Sequence, residues 1–313
     1  MLHVVVAVCG NLPHVKELLR TLELAAQTVP MRIVVCDNGS KDGSTEYFLS
    51  RSSELTLFPF DRNMGCAVAW NTGIRFSFQN NADAILVCGS DTAPLPGTVE
   101  RLYSGIQSGM AFITGTQCGY DSDPEAPTPG NDLTPLLAAP DFSFFMFNPR
   151  AVIERVGSFD VHVEHKSKVQ FHAQAGEKAP YTMRMNPWDN GLFDTGFMLG
   201  YYEDNDFHLR AHSAGVPCLR DQTALFRHDC SLTIRTNPEI AKQNQHTFPA
   251  NAARFVRKWS KLPHELDILG ARPLNVSDIE WATMTGGKEV QELDRKKVIE
   301  DARRVYGAHG MKG

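Results

Sequence analysis

Carboxylates and one imidazole are the side chains of this 313-residue sequence best suited to chemistry, and their surroundings indicate which kind. Asp91 closes the run Leu86-Val87-Cys88-Gly89-Ser90-Asp91, where a hard oxygen donor at a strand end suits a divalent cation bridging two phosphates. His228, in Phe226-Arg227-His228-Asp229, offers a neutral imidazole as a second ligand to such a cation. Tyr202-Glu203-Asp204-Asn205-Asp206 sets three carboxylates at the start of a helix, where the macrodipole favours negative charge. One of them, aimed at an acceptor hydroxyl, would also serve as a general base. Successive helix residues diverge by about 100°, so Glu203 and Asp204 cannot share that role. Asp37 either accepts hydrogen bonds from a nucleobase or ribose, or caps the turn that follows it. Taken singly, each of these residues has a complete structural explanation. His162, His165 and His172 have neither HExxH spacing nor a nearby cysteine, and zinc is discounted.

The elements that must hold these groups follow from hydropathy patterning. Val4 to Val8 is a continuous apolar run of the kind buried on both faces of a parallel sheet. Val15, Leu18, Leu19, Leu22 and Ala26 recur at helical spacing, and Ile33 to Cys36 forms a second apolar run stopped by Asp37-Asn38-Gly39-Ser40. Leu55 to Phe58 and Ala84 to Cys88 read as further strands, with the stretch from Asn63 to Gly73 turning into a helix between them. Such alternation implies a mostly parallel sheet with right-handed crossovers. Met110 to Thr114, Phe142 to Phe147 and Val216 to Leu219 are expected as strands and Glu203 to Ala214 as a helix. The stretch from Gly119 to Pro140 is expected as an exposed loop, residues 161–193 as an insertion, and Val290 to Val305 as an amphipathic helix. In an open α/β sheet, ligands bind beyond the carboxyl ends of the strands. Cys9-Gly10-Asn11, Asp37-Asn38 and Gly89-Ser90-Asp91 would therefore line one crevice.

Composition narrows the partners. With 42% hydrophobic residues the chain can bury a large core, and a formal net charge of -5 disfavours a general polyanion-binding surface. Seven cysteines without a CxxC pair suggest a reducing, cytoplasmic setting, and no apolar run is long enough to span a membrane.

In combination, the motifs resemble the inverting family-two glycosyltransferases of the GT-A fold. Val34-Val35-Cys36-Asp37-Asn38-Gly39-Ser40-Lys41-Asp42-Gly43-Ser44 is similar to that family's strand-two signature. Arg62-Asn63-Met64-Gly65 with Asn71-Thr72-Gly73-Ile74 is similar to its donor-side Asn-Gly segment. Gly89-Ser90-Asp91 falls at its DxD motif, with Gly89 in the first acidic place. Gly157-Ser158-Phe159-Asp160 and Glu203-Asp204-Asn205-Asp206-Phe207-His208-Leu209-Arg210 resemble its "GxFDE" and "EDxDxxxR" elements. The resemblance implies a Rossmann-like α/β catalytic domain over residues 1–262, with a helical extension at 263–313. It implies transfer of a sugar from a nucleotide-diphosphate donor, UDP-linked by preference, to an acceptor hydroxyl on a glycan, lipid, protein or modified nucleic acid. It assigns Asp204 as base with Glu203 in support, and Asp91 and His228 as ligands of Mn2+ or Mg2+. Asp37 would recognise the nucleobase, and Cys9, Asn11, Asn38, Asn63, Gly65, Asn71, Ser90 and Asp91 would line the nucleotide site. Gly89 keeps open a catalytically inactive sugar-nucleotide-binding or scaffolding protein. The basic stretches Arg295-Lys296-Lys297 and Arg303-Arg304 keep open an acceptor on hydroxylated DNA bases. A homo-oligomer is compatible with the sequence.

Overall fold

The computed structural model describes residues 1–119, 133–135, 143–156, 168–170, 182–184, 192–213, 216 and 218–259. In chain order the elements are β1 (Leu2–Val8), α1 (Leu12–Ala25), β2 (Met31–Asp37), α2 (Ser44–Ser50), β3 (Leu55–Pro59), α3 (Cys66–Gln79), β4 (Ala84–Gly89), β5 (Thr92–Pro94) and α4 (Thr98–Gln107). They continue with β6 (Phe112–Gly119), β7 (Leu133–Pro135), β8 (Phe144–Phe147), α5 (Pro149–Val156), β9 (Lys168–Gln170), β10 (Thr182–Arg184), α6 (Glu203–Ser213), β11 (Cys218–His228), α7 (Leu232–Thr236) and α8 (Pro238–Trp259).

One sheet runs β3-β2-β1-β4-β8-β6-β11-β5, with β7 also paired to β11. The first four strands are parallel, β8 enters antiparallel between β4 and β6, and β6 and β11 resume the original direction. The sheet is thus mostly parallel, as expected, with β5, β7 and β8 reversed. The reversal at β8 separates the donor-type β-α-β half from the half that carries α6 and β11.

Burial on both faces explains the unbroken apolar runs. Val5, Val34, Ile85, Val87, Phe145 and Phe147 point into a core beneath α3 and α6, completed by Trp70, Ile74 and Phe207. Val4, Val6, Val35, Leu86, Phe144 and Met146 point the other way, against Leu18 and Leu22 of α1 and Leu102 and Ile106 of α4. Period-two alternation within β1, β4 and β8 feeds both layers, so none of these three strands has a solvent face. Gly73 lets α3 approach β1 closely, because a Cβ there would lie 2.4 Å from Val5 Cγ1.

Three sequence expectations need correction. β6 starts at Phe112 and runs on to Gly119, where residues 116–119 lie against β11 and do not continue the apolar pattern. The stretch from Gly119 to Pro140 is not all loop, since Leu133–Pro135 pairs with β11. β11 extends to His228 rather than ending at Leu219. Its register with β6 shifts between Arg220 and Leu225, and the polar residues there hid the strand. Within the insertion read at 161–193, the described residues are an antiparallel β9–β10 pair, with Thr182 opposite Gln170, and Leu192 and Phe193, which belong to the main core. Gly157 to Asp160, His162, His165, His172 and the extension 263–313 lie outside the described residues.

Candidate active site

The carboxyl ends of β1 and β4, the start of α3, the 199–205 segment and the end of β11 enclose a cleft of about 510 Å³. Of the residues singled out in the sequence, Cys9, Asn38, Asn63, Ser90, Asp91, Glu203, Asp204 and His228 line it. Asp37, Asn11, Gly65 and Asn71 do not, and each is engaged in holding the chain.

Asp37 is 1% exposed. Its Oδ1 accepts the Ser40 amide hydrogen at 3.1 Å and its Oδ2 accepts the Thr45 hydroxyl, which ties the β2 turn to α2. Asn11 takes a left-handed conformation at the head of α1 and binds Thr233 and Thr236 of α7. Gly65, with φ +91°, has its carbonyl capped by Asn38 Nδ2 at 3.1 Å and its amide bonded to Asn63 Oδ1 at 2.8 Å. Asn38 also accepts the Met64 amide at 2.7 Å, so this asparagine shapes the cleft wall while facing it. Asn71 forms a two-way bridge with the Phe193 backbone, at 2.7 and 2.8 Å.

At the β4 end, Asp91 Oδ1 lies 3.5 Å from His228 Nε2. The pair is brought together by the antiparallel β5–β11 register, in which His228 faces Thr92. The other ring nitrogen, Nδ1, sits 3.1 Å from Ser143 Oγ and 3.3 Å from Gln117 Oε1. A hydrogen on Nδ1 directed to Gln117 leaves the Nε2 lone pair on the Asp91 side, the tautomer a metal-binding histidine requires. Among the described residues no group of three or more His, Cys, Asp or Glu side chains forms a metal cage. One carboxylate plus one imidazole nevertheless suits a hard divalent cation such as Mn2+ or Mg2+, which Asp91 and His228 would hold. Gly89 has a physical role here: a Cβ in its place would stand 2.7 Å from Asp91 Oδ1, so the missing side chain leaves room for the Asp91 carboxylate.

Across the cleft, Glu203 and Asp204 open α6. Glu203 is 4% exposed and its Oε2 has no hydrogen-bond partner. Burial, reinforced by the neighbouring Asp204 charge, pushes its carboxyl well above the ordinary carboxylate range. Next to it, Asp204 Oδ1 accepts the Asn205 amide at 2.8 Å. Two of the thiols in the cleft are poor nucleophiles. Burial raises the Cys9 thiol to about 11, with help from Asp37 and Asp42, and burial with Glu203, Asp204 and Asp91 raises Cys66 further.

Sequence reasoning missed the aromatic side of the cleft, formed by Trp70, Tyr201, Tyr202 and Phe248, and the polar supports Gln117, Ser143 and Ser231. Leu199, Tyr201 and Tyr202 all have positive φ, at 66°, 75° and 71°. Left-handed backbone at such bulky residues costs on the order of 1–3 kcal/mol each and persists only where surroundings enforce it. The signal available was the spacing Phe248, Asn251, Ala252, Phe255, an i, i+3, i+4, i+7 face of α8 that packs on this segment.

No helix among the described residues is long and apolar enough to cross a membrane, and all seven cysteines are free. The structure shares its fold with S. aureus TarS in complex with UDP, at TM-score 0.51 and 13% identity over 98% of this chain and 90% of that one. A mannosyltransferase from Pyrobaculum calidifontis, PcManGT, in complex with GDP-Man and Mn2+, matches at TM-score 0.52 and 13% identity, covering 98% and 86%. An N-acetylglucosaminyl-diphospho-decaprenol L-rhamnosyltransferase of Mycobacterium tuberculosis is 29% identical over 98 residues, 29% of this chain. The match spans only 32% of that relative's length. A sequence profile described as "Glycosyl transferase family 2" matches residues 4–165, more than half of the chain. With the GT-A fold and the motif-bearing strand ends in place, the chain belongs to glycosyl transferase family 2.

Proposed function

We propose that the protein transfers a sugar from a nucleoside diphosphate sugar, UDP-linked by preference, to an acceptor hydroxyl with inversion. The single observation that carries this reading is the placement of Asp91 with His228 and of Glu203 with Asp204 around one cleft. Asp91 and His228 would hold a divalent cation, which would supply positive charge to the departing diphosphate. Asp204 takes the proton of the attacking hydroxyl as the C–O bond forms. Glu203, buried beside that base with its carboxyl pushed up by burial, is the weaker candidate to take the proton and supports Asp204 from the acceptor side. Raised thiol pKa values make Cys9 and Cys66 poor covalent relays, which favours direct displacement. The apolar and aromatic lining from Trp70, Tyr202 and Phe248 excludes water that would otherwise intercept the sugar. Uridine specificity is supported by the UDP complex of the similarly folded TarS, and a GDP-sugar donor by that of the mannosyltransferase.

The test is calorimetric titration of UDP, GDP and dTDP with and without Mn2+, on wild type and on Asp91→Ala. Metal-dependent binding of one nucleotide, abolished in Asp91→Ala, is expected. Asp204→Asn is expected to bind that nucleotide within about twofold of wild type yet show no transfer. Binding of none of the three nucleotides, with or without Mn2+, would sink the reading.

A further inference from the structure

The segment from Met198 to Tyr202 ends where α6 begins, and its conformation decides where that helix points. The Tyr202 carbonyl accepts the Asp206 amide at 2.9 Å, so the first turn of α6 is built directly on a left-handed residue. From the α3 side, the Cys66 amide binds the Leu199 carbonyl at 2.8 Å. From the α8 side, one side chain does nearly everything. Asn251, 1% exposed, accepts the Met198 amide at 2.9 Å through Oδ1. Its Nδ2 faces the carbonyls of Met198 at 2.8 Å, Gly200 at 2.9 Å and Tyr201 at 3.3 Å. An amide nitrogen has two hydrogens, so the longest of the three contacts is shared. No backbone in a relaxed extended or helical conformation turns three nearby carbonyls toward one nitrogen; the positive φ angles at Leu199 and Tyr201 produce that convergence. Tyr202 is meanwhile held between Phe248 and Phe255, at ring distances of 5.4 and 5.5 Å.

We infer that Asn251 is a positioning residue for the transfer reaction: by holding residues 198–202 in their strained conformation it fixes the direction in which Glu203 and Asp204 face the cleft. This rests on the assignment of Asp204 as base. Asn251 is not among the residues lining the cleft. Its loss therefore acts on the geometry of the base and leaves the Asp91–His228 side intact. A displacement of about 1 Å at a reacting group costs roughly 100-fold in rate.

The experiment compares wild type with Asn251→Ala and with Asn251→Asp. The aspartate has the same shape and keeps the acceptor for Met198, but turns an anion toward the three carbonyls. UDP binding with Mn2+, hydrolysis of UDP-glucose and UDP-N-acetylglucosamine, and amide hydrogen exchange are measured on each folded protein. Both variants should lose about 100-fold in kcat with KM and UDP affinity within twofold, while exchange at residues 199–206 rises at least tenfold and β1 and β4 stay protected. A folded variant with unchanged kcat, or one whose UDP affinity falls in step with kcat, overturns the inference. If wild type neither binds UDP nor hydrolyses either sugar nucleotide, the transferase reading fails separately. Exchange then judges the clamp on its own, and unchanged protection at 199–206 refutes it.

Discussion

Replacing Glu203 by glutamine should remove a pH-dependent loss of stability that the wild-type protein carries. Burial and the adjacent Asp204 raise the folded-state pKa of Glu203 well above 4.5, whereas the unfolded chain keeps the ordinary value. The sign follows from proton binding. Below about pH 4.5 both states hold the proton and the group contributes its full stability. Between 4.5 and the raised value only the folded state holds it, so stability falls as pH rises. Over that window the loss is about 1.4 kcal/mol per pH unit. Glutamine keeps the shape of the protonated acid and has no proton to lose. From pH 4.5 up to the raised value, the unfolding free energy of wild type should therefore decline relative to Glu203→Gln, by at most about 1.4 kcal/mol for each pH unit. Urea denaturation at half-unit pH intervals, in metal- and nucleotide-free buffer, measures the difference directly. Two parallel stability curves would refute the argument, since they would mean that Glu203 is ionised alike in the folded and unfolded chains.

Gly89→Asp restores the missing acid of the DxD pattern, yet it should weaken Mn2+-dependent UDP binding by about tenfold. The new Cβ would sit 2.7 Å from Asp91 Oδ1 and turn that carboxylate away from His228. Tighter binding in calorimetry would contradict this account. Gly39→Ala should lower stability by roughly 2–5 kcal/mol in denaturant titration. Its φ is +76° and a Cβ would stand 2.6 Å from the Arg62 backbone. Phe145→Ala should cost about 3–5 kcal/mol, because its ring is fully buried and lies 5.2 Å from Phe112 and 6.4 Å from Trp70. The Trp70 contact predicts weaker UDP binding as well, and a melting temperature equal to wild type would count against both expectations.

The first half of the fold was legible because its strands are buried on two faces and stop at turn residues. Val4 to Val8 and Ile33 to Cys36 admit few other readings. The second half was harder for identifiable reasons. β11 carries Arg220 to Thr223 through a register shift, which breaks both the apolar run and the alternation. α8 contains Pro249, a residue that ordinarily argues against a helix interior. For the site, Asp91, His228, Glu203 and Asp204 were readable as residue types with a known chemistry, and all four line one cleft. The roles of Asn38, Asn71 and Asn251 were not readable, because each is defined by backbone groups remote in sequence. For Asp37 the residues left nucleobase contact and turn capping open, and the structure has its carboxylate bonded to its own turn and to Thr45.

The β5–β11 pairing makes assembly of the cation site a late event for the chain. Asp91 follows β4 directly, whereas its partner lies far downstream in sequence and reaches it only when β11 has paired with β6, β7 and β5. Such non-local pairings are the slow ones in folding. A partly unfolded chain can therefore have its first four strands formed without the Asp91–His228 pair. On the proposed function, donor affinity would then report closure of the whole sheet, and a bound donor would in turn protect the strand that joins last.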